Sequence, residues 1–396
     1  MKRGPNSVAE RVAERSLSLG LDFGGSNVKV EHPPREAVRD SRRAAAGTWL
    51  DAEIASVEDL ISDPPAAVRD YLRDHRDAIW SIIAALEKEP PDWGDRGEEA
   101  IYSNETLLPT ILLERILLST ALCEERDGEA IAASRALEAS WSLGQPVASR
   151  PMAIEQLVSI AIQRLQAGVL RKMKEPPIPW INRLSGDQSW KGMLDALSPQ
   201  SNSGEGFQKA IGRVYRAVVD RVRKLSPCDA SRLTDDEIWR SVAAEVSTDA
   251  NPAVRASAEE PPAGSEAQSG AESTEPVEDR RFYFKENLTN VMLPIRRSAR
   301  LQIDRELTVK ILELRLQASA AREKAWPKRL ADDTSVCPDA SYTYSRQGRQ
   351  MEIRFAGTLG APEGQTILPL TFHSGGPGFS PTPVSTPATT PTPETP

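Results

Sequence analysis

Histidine and cysteine are scarce, with three of each in the 396-residue chain. His32, His75 and His373 share no ligand spacing with Cys123, Cys228 or Cys337, so structural zinc is not expected. The cysteines lie more than a hundred residues apart and form no CxxC pair, so a disulfide framework is not expected either. Few histidines also remove the most frequent general base. A basic surplus is missing too: Lys and Arg total 49 against 57 Asp and Glu, a net charge of −8. Phosphate neutralisation supplies most nucleic-acid affinity, so a nucleic-acid partner is not expected. Long apolar runs are absent, because the most apolar stretch, Leu107 to Cys123, is broken by Glu114 and Arg115. A spanning helix needs about 20 apolar residues, so no transmembrane segment is expected. Residues 1–20 show no apolar core before charges return, and the expected location is cytoplasmic. The chain has no HExxH, P-loop lysine, dinucleotide fingerprint or Ser/His/Asp arrangement.

What remains is helical. Hydrophobic residues make up 39% and aromatics only 5%, so the core is built from Leu, Ile, Val and Ala, which suits helix-on-helix packing. Residues 7–19 read as a short helix and 19–30 as an extended segment. Helices follow over 41–86, punctuated by Pro64-Pro65 and closed by Pro90-Pro91. Residues 106–127 form an apolar helix stopped by Gly128. Residues 129–143 place Ala130, Ser134, Leu137 and Trp141 on one stripe, ending at Gly144 and Pro146. Residues 151–173 carry Ile154, Leu157, Val158, Ala161, Leu165 and Val169 at amphipathic spacing, with Pro176-Pro177 as the stop. A further helix covers 207–225, and Thr234 with Glu237 forms a capping box before 235–246.

The composition then shifts. Residues 247–280 are Ala, Glu, Pro, Ser and Gly with almost nothing to bury, and read as a disordered linker. A long helix over 296–321 presents Ile303, Leu307, Ile311, Leu314 and Ala318 on one stripe. Short strands follow at 342–345, 351–356 and 366–372, with a turn at Gln347-Gly348. The Pro/Thr-rich tail at 373–396 is expected to be disordered. The fold class expected is mainly α, with five sections. These are an N-terminal helix plus Gly-rich segment (1–40), a helical domain (41–246), the linker, a long helix with a small β element (281–372), and the tail.

Four features carry candidate chemistry. Asp22-Phe23-Gly24-Gly25-Ser26 resembles the first phosphate loop of the sugar-kinase and actin-like ATPases, in which a strand delivers an Asp to a Gly-rich turn. The resemblance covers about a dozen residues, and the stretch 41–246 offers neither a second loop nor alternating strands, so an ordinary Gly-rich turn is the expectation. It leaves an ATP-dependent phosphotransferase as the alternative function. The stretch from Arg126 to Leu143 resembles the second helix of a tetratricopeptide-like hairpin, whose functional reading is a groove for a partner peptide. Arg296, Arg297, Arg300 and Arg305 interleave with Asp304 and Glu306 and read as a solvated face. Glu114, Glu155, Gln156 and Arg164 sit among Leu and Ile, and solvent-facing stripes are expected for them, with a shared pocket as the alternative.

From Trp49-Leu50 onward, through Tyr71-Leu72-Arg73-Asp74-His75, the helices around 127–173, Arg305-Glu306-Leu307, Trp326-Pro327 and Cys337-Pro338, the chain resembles a family of mostly helical bacterial proteins of the acidobacterial type. That resemblance implies a helical fold and brings no known activity. Its members' N-terminal membrane or export segments imply envelope association as a second alternative. The Trp-Pro ending followed by short strands is similar, at fold level only, to pseudopilin-like C-terminal layouts. No catalytic, cofactor or metal residue is assigned; the best reading is a non-enzymatic helical scaffold with a protein or peptide partner in a helical groove.

Overall fold

Chain-entry signals and prolines divide the sequence into its elements. In a computed structural model, residues 4–23, 40–94, 107–148, 153–177, 179–185, 194–195, 207–248, 277–321, 325–360 and 368–375 are described. Among these lie twelve α-helices and a three-stranded antiparallel sheet, so the fold is mainly α. The helices are α1 (Ser7–Ser16), α2 (Ser41–Ala55), α3 (Ala66–Asp74), α4 (Arg76–Leu86), α5 (Leu107–Arg126) and α6 (Ala130–Ala148). They continue as α7 (Ala153–Lys172), α8 (Pro179–Ser185), α9 (Phe207–Val222), α10 (Pro227–Arg232), α11 (Asp235–Thr248) and α12 (Val277–Ala320). The strands are β1 (Tyr342–Gln347), β2 (Gln350–Phe355) and β3 (Thr371–Ser374), in spatial order 1-2-3.

Local rules explain several boundaries. Asn6 caps α1 by accepting from the Ala9 amide at 2.9 Å, and its side chain also accepts from the Asp92 amide at 3.0 Å. The Thr234/Glu237 capping box forms: the Glu237 amide donates to Thr234 Oγ1 at 3.2 Å and the Thr234 amide to Glu237 Oε2 at 2.8 Å. Gly128, at φ 87°, turns α5 into α6.

Other boundaries move. The helix expected to end at Gly144 and Pro146 runs on to Ala148. Gly144 is a packing residue: a Cβ there would stand 3.2 Å from Ile162 Cγ2 and 3.4 Å from Glu114 Oε1. The buried stripe of α6 is Ala133, Ala136, Leu137, Ser140, Leu143 and Val147, which leaves Ala130 and Ser134 at the edge. Helix α12 starts at Val277 rather than near 296, passes through Pro294, and is 44 residues or about 66 Å long. The extended segment expected at 19–30 is not seen where the chain is described: Leu17–Leu19 is a 3₁₀ turn, Gly20 sits at φ 72°, and 21–23 form no strand. Residues 24–39, with Gly24, Gly25 and Ser26, lie outside the described residues, as do the linker over 249–276 and the tail beyond 375. Strand β3 lies later than expected and takes in His373 and Ser374.

Three apolar clusters organise the molecule. The largest joins α1 to α8, with α5 and α6 packed as a hairpin and α7 laid against both. The second gathers Val218, Val222 and Ile238 on Met292 and Ile295 of α12. The third seats Met351, Ile353, Phe355 and Phe372 of the sheet on the predicted α12 stripe of Ile303, Leu307, Ile311, Leu314 and Ala318. Helix α12 therefore touches every part. The sheet also reaches the first cluster's side: the His373 amide donates to the Val57 carbonyl at 2.8 Å and the Asp59 amide to the His373 carbonyl at 3.1 Å.

Candidate functional site

Helix α7 is not amphipathic over its second half. Residues 164–173 are all buried, because α5 and α6 cover one side and α12 another. This overturns the solvent-facing expectation for its polar residues: Glu114, Glu155, Gln156 and Arg164 are all buried. They do not share a pocket. Glu114 Oε2 accepts from the Ser140 hydroxyl, which also accepts from Gln166 Nε2 at 2.9 Å. Burial drives the Glu114 pKa well above the usual carboxylate range, which favours the neutral acid inside the α5–α6–α7 contact. Arg164 lies two residues from Gln166 and so about 200° around the helix. It pairs with Asp304 of α12 at 3.3 Å.

Of the four arginines expected on a solvated face, Arg296 and Arg297 are half-buried, with Arg296 paired to Asp235 at 2.6 Å, and the other two are interior. Arg300 and Arg305 are buried, because the helix passes through the middle of the fold rather than starting at its surface. Arg300 Nε donates to Asp304 Oδ1 at 3.3 Å and its Nη2 to the Leu368 carbonyl at 2.5 Å. Arg305 donates to the Leu184 and Arg183 carbonyls at 2.9 and 3.0 Å, which end α8. Arg315 donates to the carbonyls of Leu170 at 3.1 Å, Arg171 at 2.6 Å, and Met173, which end α7. Arg171 reaches across to Thr308 Oγ1, the Pro369 carbonyl and the Asp304 carbonyl at 2.9, 2.8 and 2.7 Å. Helix C-termini leave carbonyls unsatisfied and carry partial negative charge, so a guanidinium satisfies both demands at once. Burial lowers Arg171, Arg305 and Arg315 to about 10, and they remain charged at neutral pH. These groups clamp backbone.

The concave surfaces lie elsewhere, on one face of α5. Leu112, Arg115 and Ile116 line a cavity of about 450 Å³ against α2, where Arg115 pairs with Asp51 and passes Gly47. One to two turns further along, Thr120, Cys123 and Glu124 line a second cavity of about 310 Å³ against α3 and α4. Its floor is Leu72, Ile79 and the flank of Trp80, and its rim carries Arg69, Arg73, Arg76 and Arg126. The Trp80 ring lies between two guanidiniums, Arg76 at 5.7 Å and Arg135 at 5.2 Å, and Glu87 fixes Arg135 in a two-point ion pair. Arg73 pairs with Asp70 at 2.8 Å and Arg76 with Glu124 at 3.3 Å, while Arg126 pairs with Asp63. Both cavities fall within the size range of ligand sites.

Asp22 stands beside Phe23, whose buried ring stacks on Trp93 at 4.8 Å, so this end of the Gly-rich motif anchors the N-terminal helix to the body. Arg43 donates to the Leu19 and Gly20 carbonyls at 2.9 and 2.8 Å and fixes the same turn. Among the described residues no group of three or more His, Cys, Asp or Glu could hold a metal ion, and no helix is long and apolar enough to cross a membrane. The sequence reading missed Trp80, Arg76 and Arg135 entirely. The available signals were Arg69, Arg73 and Arg76 at helical spacing and the stripe Leu112, Ile116, Thr120, Cys123.

The site is thus a pair of separate recesses beside α5 in a mainly α scaffold, parted by its buried residues 116–122. Comparison with protein-family models, with curated proteins and with solved structures gives no match.

Proposed function

We propose that the chain is a non-enzymatic helical scaffold that seats an acidic amphipathic segment of a partner protein in the recess that α5 forms with α3 and α4. The observation that carries this reading is the cavity of about 310 Å³ there, lined by Leu72, Ile79 and Trp80 and by Arg69, Arg73, Arg76 and Arg126. The floor is apolar and the rim is arginine. Each rim pair of Arg73, Arg76 and Arg126 has one side chain at least 62% exposed, and such pairs contribute about 0–1 kcal/mol each. A partner's carboxylates replace those of the chain at little cost, while burial of its apolar side chains on Leu72, Ile79 and Trp80 supplies the gain. The tetratricopeptide-like α5–α6 hairpin supports the same reading, since helical hairpins of that kind present such grooves.

The test is calorimetric titration of the full chain with a panel of 18-residue amphipathic peptides, acidic and basic, of matched apolar content. We expect micromolar binding of acidic members, weakened about tenfold or more by the double change Arg69→Glu, Arg73→Glu. Equal binding of basic peptides, or affinity untouched by that double change, contradicts the reading.

A further inference from the structure

We infer that Cys228 and Cys337 are joined during folding in an oxidising compartment, and that the resulting disulfide staples the segment leading into β1 to α10. The bonded pair corrects the expectation of no disulfide, and the proposed compartment is an alternative to the cytoplasmic expectation. The two residues are 109 apart in sequence, yet their Cα atoms stand 5.6 Å apart and their sulfurs are bonded. Other contacts set that approach. Cys228 is the second residue of α10, which Ser226 caps and which packs along α12. Its carbonyl accepts from the Ser231 hydroxyl at 2.7 Å, and that hydroxyl accepts from the Gly360 amide at 3.2 Å, beyond the end of β2. Cys337 is placed by Glu306 of α12, which accepts from Ser335 Oγ at 3.1 Å, the Val336 amide at 3.2 Å and Tyr342 Oη at 3.0 Å.

Timing follows from burial. Both cysteines are 1% exposed, against Ile303, Leu307 and Tyr342. The nucleophile in disulfide exchange is a thiolate, and a thiol sealed in apolar surroundings ionises poorly. The bond therefore forms before the sheet closes over it, while oxidant is present. In that step the two thiols lose two protons and two electrons. The electrons reduce the disulfide of a thiol–disulfide exchange protein to its dithiol. Disulfides of this kind persist where proteins are not held reduced.

The third cysteine is consistent with the same history. An unpaired thiol in an oxidising compartment invites scrambling. Cys123 is partly buried on α5, and burial together with Asp127 and Glu124 pushes its pKa up to about 12, so it makes a poor attacking group.

The deciding experiment is thiol mapping of the full chain taken from its native host. The sample is quenched with N-ethylmaleimide, denatured in the presence of the same reagent, digested without reduction and read by mass spectrometry. We expect one linked Cys228–Cys337 peptide and a single adduct, on Cys123. Adducts on all three cysteines overturn the proposal. The staple has its own readout: dithiothreitol lowers the melting temperature of the wild type by several degrees and leaves the Cys228→Ser, Cys337→Ser double variant unmoved. A wild type insensitive to confirmed reduction, or an equal shift in the double variant, overturns the staple.

Discussion

Arg315 shows how single side chains hold this molecule together. Its guanidinium meets three carbonyls at the end of α7, and no water-facing group stands in for it. Arg315→Met leaves those carbonyls without donors in the interior, and we expect a loss of about 3 kcal/mol or more in urea denaturation. Arg315→Lys recovers little, because one ammonium lacks the planar fork that spans three acceptors. Glu114 makes the opposite kind of prediction. Its folded pKa is raised above the ordinary 4.5 by burial. The stability it contributes is therefore complete below that ordinary value and is lost as pH rises toward the folded one. Wild type should be less stable at a pH well above the ordinary 4.5 than at one near it, and Glu114→Gln, which keeps the shape without the charge, should flatten that slope. Denaturation midpoints at the two pH values check it, and an equal slope in both proteins removes the neutral-acid assignment.

At the scale of elements, the legible parts were those governed by local chemistry. The Thr234/Glu237 box, the Gly128 turn and the α12 stripe follow local rules and stand as read, while the hairpin turn read at Gln347-Gly348 forms one residue later, at Gly348-Arg349. What stayed hidden was long-range. The carbonyl partners of Arg171 lie 133 and 198 residues away, and a backbone acceptor leaves no mark in a sequence pattern. Glu114 was visible as an anomaly in an apolar helix, but its partner Ser140 lies on the next helix, and Gln166, which donates to Ser140, on the one after that. Gly144 and Pro146 looked like a stop because the local rule favours one, and tertiary packing prevailed. The two glycines are separable by substitution. Gly144→Val should cost about 1–3 kcal/mol through crowding on Ile162. Gly128→Ala, with open space around it, should cost about 1 kcal/mol from its φ of 87° alone. Thermal or chemical denaturation of the pair distinguishes packing from backbone strain.

On the scale of the whole molecule, α12 acts as a spine. Its first half carries α9 to α11, its middle clamps α7 and α8, and its last turns carry the sheet. The interior cations are consumed in that task, whereas the arginines around Trp80 sit at the surface in exchangeable pairs. On a chain of net charge −8, this rim is the local exception that admits an acidic partner. Binding there should weaken as salt rises, since exposed pairs are screened over a Debye length of about 10 Å at 0.1 M salt. Titration at two salt concentrations reads this directly. The most direct test of the partner groove is hydrogen exchange of the full chain with and without a binding acidic peptide. The account predicts added protection along α5 and the α3–α4 border, with β1 and β2 unchanged. Protection confined to the sheet or to α9–α11, with α5 unaffected, would contradict it.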